Sequence, residues 1–142
     1  MLAMGFIVSP PGDKTNRWIY PPAPDRLARM AHVLAAIPDL FFRSRVLETA
    51  KQLSVTVEIA RDADEVLQKV RAEKPRLVLM DLMAAALHPL ETIPTLQGIP
   101  VIGFLAHEQV DLREKALAAG CAEVLTKGQF SASLPAILQR CL

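Results

Sequence analysis

From residue 32 onward the chain alternates short apolar runs with longer stretches whose apolar positions return every three or four residues. The first run, His32-Val33-Leu34-Ala35-Ala36-Ile37, reads as a buried strand. Asp39 then stands where it can cap a helix whose inner positions are Phe42, Val46, Ala50 and Leu53. Val55 to Ile59 alternates as a strand with one exposed face, and Asp62-Ala63-Asp64-Glu65 opens a helix with Val66, Leu67 and Val70 on its inner stripe. Leu77 to Leu82 follows, apolar except for Asp81, after the helix-breaking Pro75. A short helix is expected around Pro89 to Leu96, a fourth strand over Pro100 to Leu105, and a helix over Val110 to Ala119 with Gly120 at its C-terminal cap. Ala122 to Thr126 reads as the fifth strand, and Ser131 or Ser133 is expected to start a last helix containing Leu134, Ile137 and Leu138.

Strands and helices that alternate in this way build a parallel sheet covered on both faces, since each crossover is right-handed. In such open sheets ligands bind beyond the carboxyl ends of the central strands. A carboxylate inside a run as apolar as Leu77 to Leu82 is costly unless it emerges where the strand ends. Asp81 is therefore the first candidate for chemistry, against the plainer role of a residue that turns the chain. The ends of the first, third and fifth strands place Ile37 to Asp39, Asp81 and Lys127 near one another.

Residues 1–31 do not share the pattern. They hold five of the eleven prolines and the only Trp and Tyr, Trp18 and Tyr20, so a Pro-rich N-terminal extension precedes a domain over 32–142. Met30 directly precedes the first periodic segment and is an alternative start. A formal charge of +1 on 142 residues, 51% of them hydrophobic, points to neither disorder nor a nucleic-acid surface. No apolar run is long enough to cross a bilayer and no basic region with a cleavage site opens the chain, so a soluble, cytoplasmic protein is expected. Cys121 and Cys141 lack metal spacing and are expected as reduced thiols. No His lies at a motif spacing from another His or Cys, so a metal cluster built on those types is not expected.

With these elements in place, residues 32–142 resemble the receiver domain of two-component response regulators. Asp81-Leu82-Met83 matches the end of the third strand, where the family carries its phosphoacceptor. Pro89-Leu90-Glu91 stands where such domains usually read Gly-Leu-Glu, Pro100-Val101-Ile102 resembles the fourth strand, and Ala118-Ala119-Gly120-Cys121 followed by Leu125-Thr126-Lys127 leads to the family's site lysine. The resemblance implies the flavodoxin-like receiver fold, a five-stranded parallel sheet in the order 2-1-3-4-5 with helices on both faces. It also implies Asp81 as phosphoacceptor and metal ligand beside Lys127, with Asp39 the one other acid near the metal position.

Several family features are missing. The acidic pair after the first strand reads Ala35-Ala36-Ile37-Pro38, the Ser or Thr ending strand four is Leu105, the aromatic of strand five is Val124, and Gly128 replaces the proline after the lysine. Mg2+ wants hard oxygen ligands in near-octahedral geometry, so one or two carboxylates should hold it weakly or not at all. Asp39 is expected mainly as a helix cap, and Lys127 as a partly buried ion-pair partner of Asp81. Phe41 is expected over the position of the absent metal, and His88 and His107 as solvated loop residues flanking the cleft.

The favoured reading is a stand-alone receiver-like signalling protein that docks other proteins, such as a histidine kinase or downstream effector, through its fourth helix, fifth strand and last helix. No catalytic activity of its own is expected. The alternative is a working phosphorelay regulator phosphorylated on Asp81. A flavodoxin-like cofactor-binding enzyme is a third option, opposed by the apolar, glycine-free Ile37-Pro38-Asp39-Leu40-Phe41-Phe42 where a phosphate-cradling loop belongs.

Overall fold

A computed structural model describes residues 32–141; the Pro-rich segment expected over 1–31 lies outside the described residues. Five strands, β1 (His32–Ala36), β2 (Thr56–Ala60), β3 (Leu77–Asp81), β4 (Val101–Leu105) and β5 (Glu123–Thr126), pair in parallel in the order β2-β1-β3-β4-β5. The helices are α1 (Leu40–Leu53), α2 (Ala63–Glu73), a short α3 (Pro89–Thr92), α4 (Val110–Ala119) and α5 (Lys127–Gln139). The parallel sheet with alternating helices is what the apolar pattern predicts, and the order 2-1-3-4-5 is what the resemblance to receiver domains implies.

β1, β3 and β4 are buried along their whole length because helices cover both sheet faces. One face packs Val33, Ala35, Leu79 and Phe104 against Val46 and Ala50 of α1 and Phe130, Leu134 and Leu138 of α5. The other packs Leu34, Val78, Met80 and Leu105 against Val66 of α2, Leu87, Ile93, and Ala116 of α4. Phe104 and Phe130 stack with ring centroids 4.4 Å apart and form the aromatic centre of the first face. Among the described residues no helix is long and apolar enough to cross a membrane.

Local chemistry sets the element ends. The Asp39 and Asp62 carboxylates accept the Phe42 and Glu65 N–H groups, at 3.1 and 2.9 Å, as N-caps of α1 and α2. Gly120 ends α4 with a φ of 116°, a left-handed conformation that favours glycine. The helix expected around Pro89 to Leu96 is only partly α-helical. Pro94 has no N–H to give to Leu90, and the chain tightens into a 3₁₀ turn over Ile93–Thr95.

The last helix departs most from expectation. It starts at Lys127 rather than at Ser131 or Ser133. Thr126 and Gln129 form a reciprocal capping box, with the Gln129 N–H donating to Thr126 Oγ1 at 3.1 Å and the Thr126 N–H donating to Gln129 Oε1 at 3.0 Å. That pair carries Gly128 through the first turn, and Pro135 is tolerated on the exposed side of the helix.

Candidate functional site

The carboxyl edge of the sheet collects the residues that the chain pattern singled out. Asp81 is the last residue of β3 and lies buried, 9% exposed, between β1 and β4. Its Oδ1 accepts the Met83 N–H at 3.0 Å, and its carbonyl accepts the Ala84 N–H, which turns the chain out of the strand. The turning role is the one these two contacts display. Met83 also ties the two neighbouring loops together, because the Ala106 N–H donates to its Sδ at 3.3 Å.

Asp81 titrates above the ordinary carboxylate range. Loss of hydration at the buried strand end is the largest cause, and the nearby Asp39 charge adds to it; the Met83 N–H and the Lys127 charge act in the opposite direction without overcoming it.

Lys127 opens α5 beside the end of β5 and its charge reaches Asp81, as the strand order requires. The expected direct ion pair is not formed. The ammonium instead lies over the Phe42 ring, 5.7 Å from its centroid, and Phe42 in turn packs on Phe104 at 5.2 Å. A cation over an aromatic face gains electrostatic attraction while keeping part of its hydration, which an ion pair with a buried carboxylate would forfeit.

Asp39 is exposed, and one carboxylate oxygen is committed to capping α1. Phe41 is 63% exposed and lines a shallow groove with Leu40, Ser44 and Arg45, so the ring at the site is Phe42, contrary to the expectation for Phe41. Phe42 and Met83 are the site residues that sequence reasoning missed. The (i, i+4) spacing of Phe42 and Val46 pointed to the core for Phe42, and nothing in the pattern announces a thioether that accepts a backbone N–H. His88 and His107 are exposed and sit beside Glu91 at 3.5 Å and Glu108 at 3.4 Å, as solvated loop residues.

The oxygen donors here fit Mg2+ poorly. Asp81 has one carboxylate oxygen free of a protein hydrogen bond, Asp39 is held by its helix, and the rest of the β1 end is Ala35, Ala36 and Ile37. Leu105, 1% exposed at the end of β4, offers no hydroxyl to a phosphoryl oxygen, and Val124 in β5 is buried with it in one apolar cluster.

No family model matches the sequence, and no curated protein matches it. Solved structures do. The receiver domain of NtrX from Brucella abortus superposes with a TM-score of 0.67 at 20% identity, covering 78% of this chain and 97% of that one. The chemotaxis response regulator CheY4 of Vibrio cholerae gives 0.68 at 24% identity over 80% of this chain and 99% of its own. A signal receiver domain from Bermanella marisrubri gives 0.69 at 17% identity, over 78% and 97% of the two chains. Likeness at these identities is likeness of fold, and the fold of this chain is the receiver fold of response regulators.

Proposed function

We propose that the chain is a receiver-like signal-transduction protein that acts by binding other proteins, with Asp81 kept as a structural acid rather than a phosphoacceptor. The donor set at Asp81 carries this reading: a desolvated carboxyl with one oxygen engaged by Met83, no acidic pair beside it, and leucine where a hydroxyl would contact the phosphoryl group. Phosphoryl transfer to a carboxylate depends on a metal and fixed donors to offset charge on the transferring group. Among the described residues, Lys127 is the cation whose charge reaches Asp81, and it makes no ion pair with it. The docking surface in this reading is formed by α4, β5 and α5, the partner is a histidine kinase or a downstream effector, and the setting is the cytoplasm.

The second reading, a phosphorelay regulator that accepts a phosphoryl group on Asp81, is favoured by one observation. The Lys127 charge reaches Asp81 at the end of β3, and an aspartyl nucleophile would be served by such a cation. Incubation of the full chain with a small phosphodonor and Mg2+, followed by intact mass measurement, separates the two. No added phosphoryl group is expected. A phosphoryl adduct that forms on the wild type and is absent from Asp81→Asn would establish the second reading instead.

A further inference from the structure

The opposite, amino edge of the sheet holds a second group of ionisable side chains. His32 opens β1 and is 3% exposed, yet its Nε2 is buried without a hydrogen-bond partner. A buried imidazole nitrogen left unpaired costs on the order of 1–3 kcal/mol, so its persistence asks for a partner from outside the described side chains. β1 and β2 run in register with His32 opposite Thr56 and Leu34 opposite Glu58, so the period of two puts His32 and Glu58 on the same sheet face. α2 packs over that face and runs back to the amino edge, where it ends on Glu73 because Lys74 takes a left-handed cap conformation with a φ of 49°. One ligand atom each from His32, Glu58 and Glu73 lies within 4.8 Å of the other two.

We infer that His32, Glu58 and Glu73 form a binding site for one divalent transition-metal ion of the zinc type. An imidazole with two carboxylates is a mixed nitrogen–oxygen set, which suits zinc and its neighbours better than Mg2+ or Ca2+. Two carboxylates balance the charge of a divalent ion, and coordination through Nε2 gives the buried His32 nitrogen the partner it lacks among the described residues. Ligand atoms around tetrahedral zinc lie about 3.3 Å apart, so the half-buried Glu58 and Glu73 tips need to close in by no more than about 1.5 Å on binding. Glu73 has no other ion pair among the described residues, and Glu58 is held at 3.3 Å by Lys69 in a partly exposed pair that leaves its second oxygen available. The open coordination positions take water. The site lies at the other end of β1 from the carboxyl edge and does not depend on what Asp81 does.

The test is a zinc titration of the full chain against a chromophoric chelator, with Glu58→Gln, Glu73→Gln, Asp81→Asn and His88→Asn measured alongside. One tight equivalent is expected for the wild type, at least tenfold weaker in either glutamine variant and unchanged in Asp81→Asn and His88→Asn. Zinc should also raise the melting temperature of the wild type and not of Glu73→Gln. Both glutamates are partly solvent-exposed, so their variants remain folded where a His32 substitution risks the core. Absence of a tight equivalent overturns the assignment. So does an affinity indifferent to Glu58→Gln and Glu73→Gln, which would place the ion elsewhere, or the finding that His32 is a protonated partner of the two carboxylates and excludes zinc.

Discussion

Gly103 lies in the middle of β4, and the space its missing side chain leaves is already filled. A Cβ built there would meet Leu82 Cγ and Cδ1 at 2.7 Å and Cδ2 at 2.9 Å. Ordinary carbon contacts begin near 3.4 Å, so all three outer atoms of the leucine would have to retreat together. Leu82 has little room for this: it is 3% exposed, and its N–H is bound to the Phe104 carbonyl at 3.0 Å. Gly103→Ala should therefore cost about 1–3 kcal/mol of overpacking. The restricted unfolded chain returns about 0.4–1 kcal/mol, which leaves a net loss of roughly 1–2 kcal/mol. In a domain of this size that lowers the melting temperature by roughly 4–8 °C. In a Leu82→Ala background the sign should reverse. The new methyl then enters a cavity and regains about 0.8 kcal/mol, so the two sites couple by roughly 2–3 kcal/mol. Denaturant unfolding of the four proteins in the cycle measures this directly. If Gly103→Ala costs the same in both backgrounds, the contact with Leu82 is not what demands glycine. Because Leu82 follows Asp81, a chemical-shift change at Met83 N–H should accompany the single substitution and fade in the double.

Three further outcomes follow from the described contacts. Asp81 in the unfolded chain releases its proton near 3.8, while the native carboxyl holds its proton to higher pH. The native state therefore binds more protons between those two values, and stability falls as pH rises through that window. Asp81→Asn, which keeps an oxygen for the Met83 N–H, should be the more stable protein near neutral pH, with the difference vanishing on acidification; thermal unfolding across the acid range reads this, and a difference that grows toward low pH would contradict it. Thr126→Ala removes half of the α5 capping box and should cost about 0.5–2 kcal/mol, with Gln129→Ala adding little to it, as denaturant midpoints will show. Burial raises both thiols, Cys121 and Cys141, above the usual cysteine range, so a disulfide reagent at neutral pH should modify neither until denaturant is added.

The sheet was legible because its information is one-dimensional. Runs such as Val33 to Ile37 and Leu77 to Met80 are apolar on both faces, and helix caps at Asp39, Asp62 and Gly120 announce the turns between them. Asp81 was legible as an acid misplaced in an apolar run. The start of α5 was also available, since Thr126-Lys127-Gly128-Gln129 has the capping-box spacing, but Gly128 and Pro135 are local signals against a helix and only packing of Phe130 into the core outweighs them. The partner of Lys127 was not legible at all. Its long side chain chooses between Asp81 and the Phe42 ring by a balance of hydration and attraction that no spacing encodes. The triad of His32, Glu58 and Glu73 is of the same kind: three residues from three elements, joined only by strand register and by where α2 stops.

The residues that replace family features share a property that bears on how such a protein would work. Leu105 and Val124 belong to one buried apolar cluster with Ala116 of α4 and Cys121, and each is nearly inaccessible to solvent. A switch at this place needs two arrangements of similar energy, usually polar or amphipathic groups that trade one partner for another. Close-packed aliphatic side chains have one good arrangement, and moving them opens voids that cost about 24 cal/mol per Å³. Any chemical event at Asp81 therefore meets a rigid apolar wall between itself and the α4 side of the surface formed by α4, β5 and α5. A partner that binds that surface should hold equally well to wild type, Asp81→Asn and Asp81→Glu, measured by titration calorimetry. A change of tenfold or more across those three proteins would show that the wall transmits the signal after all, and that docking is switched from Asp81.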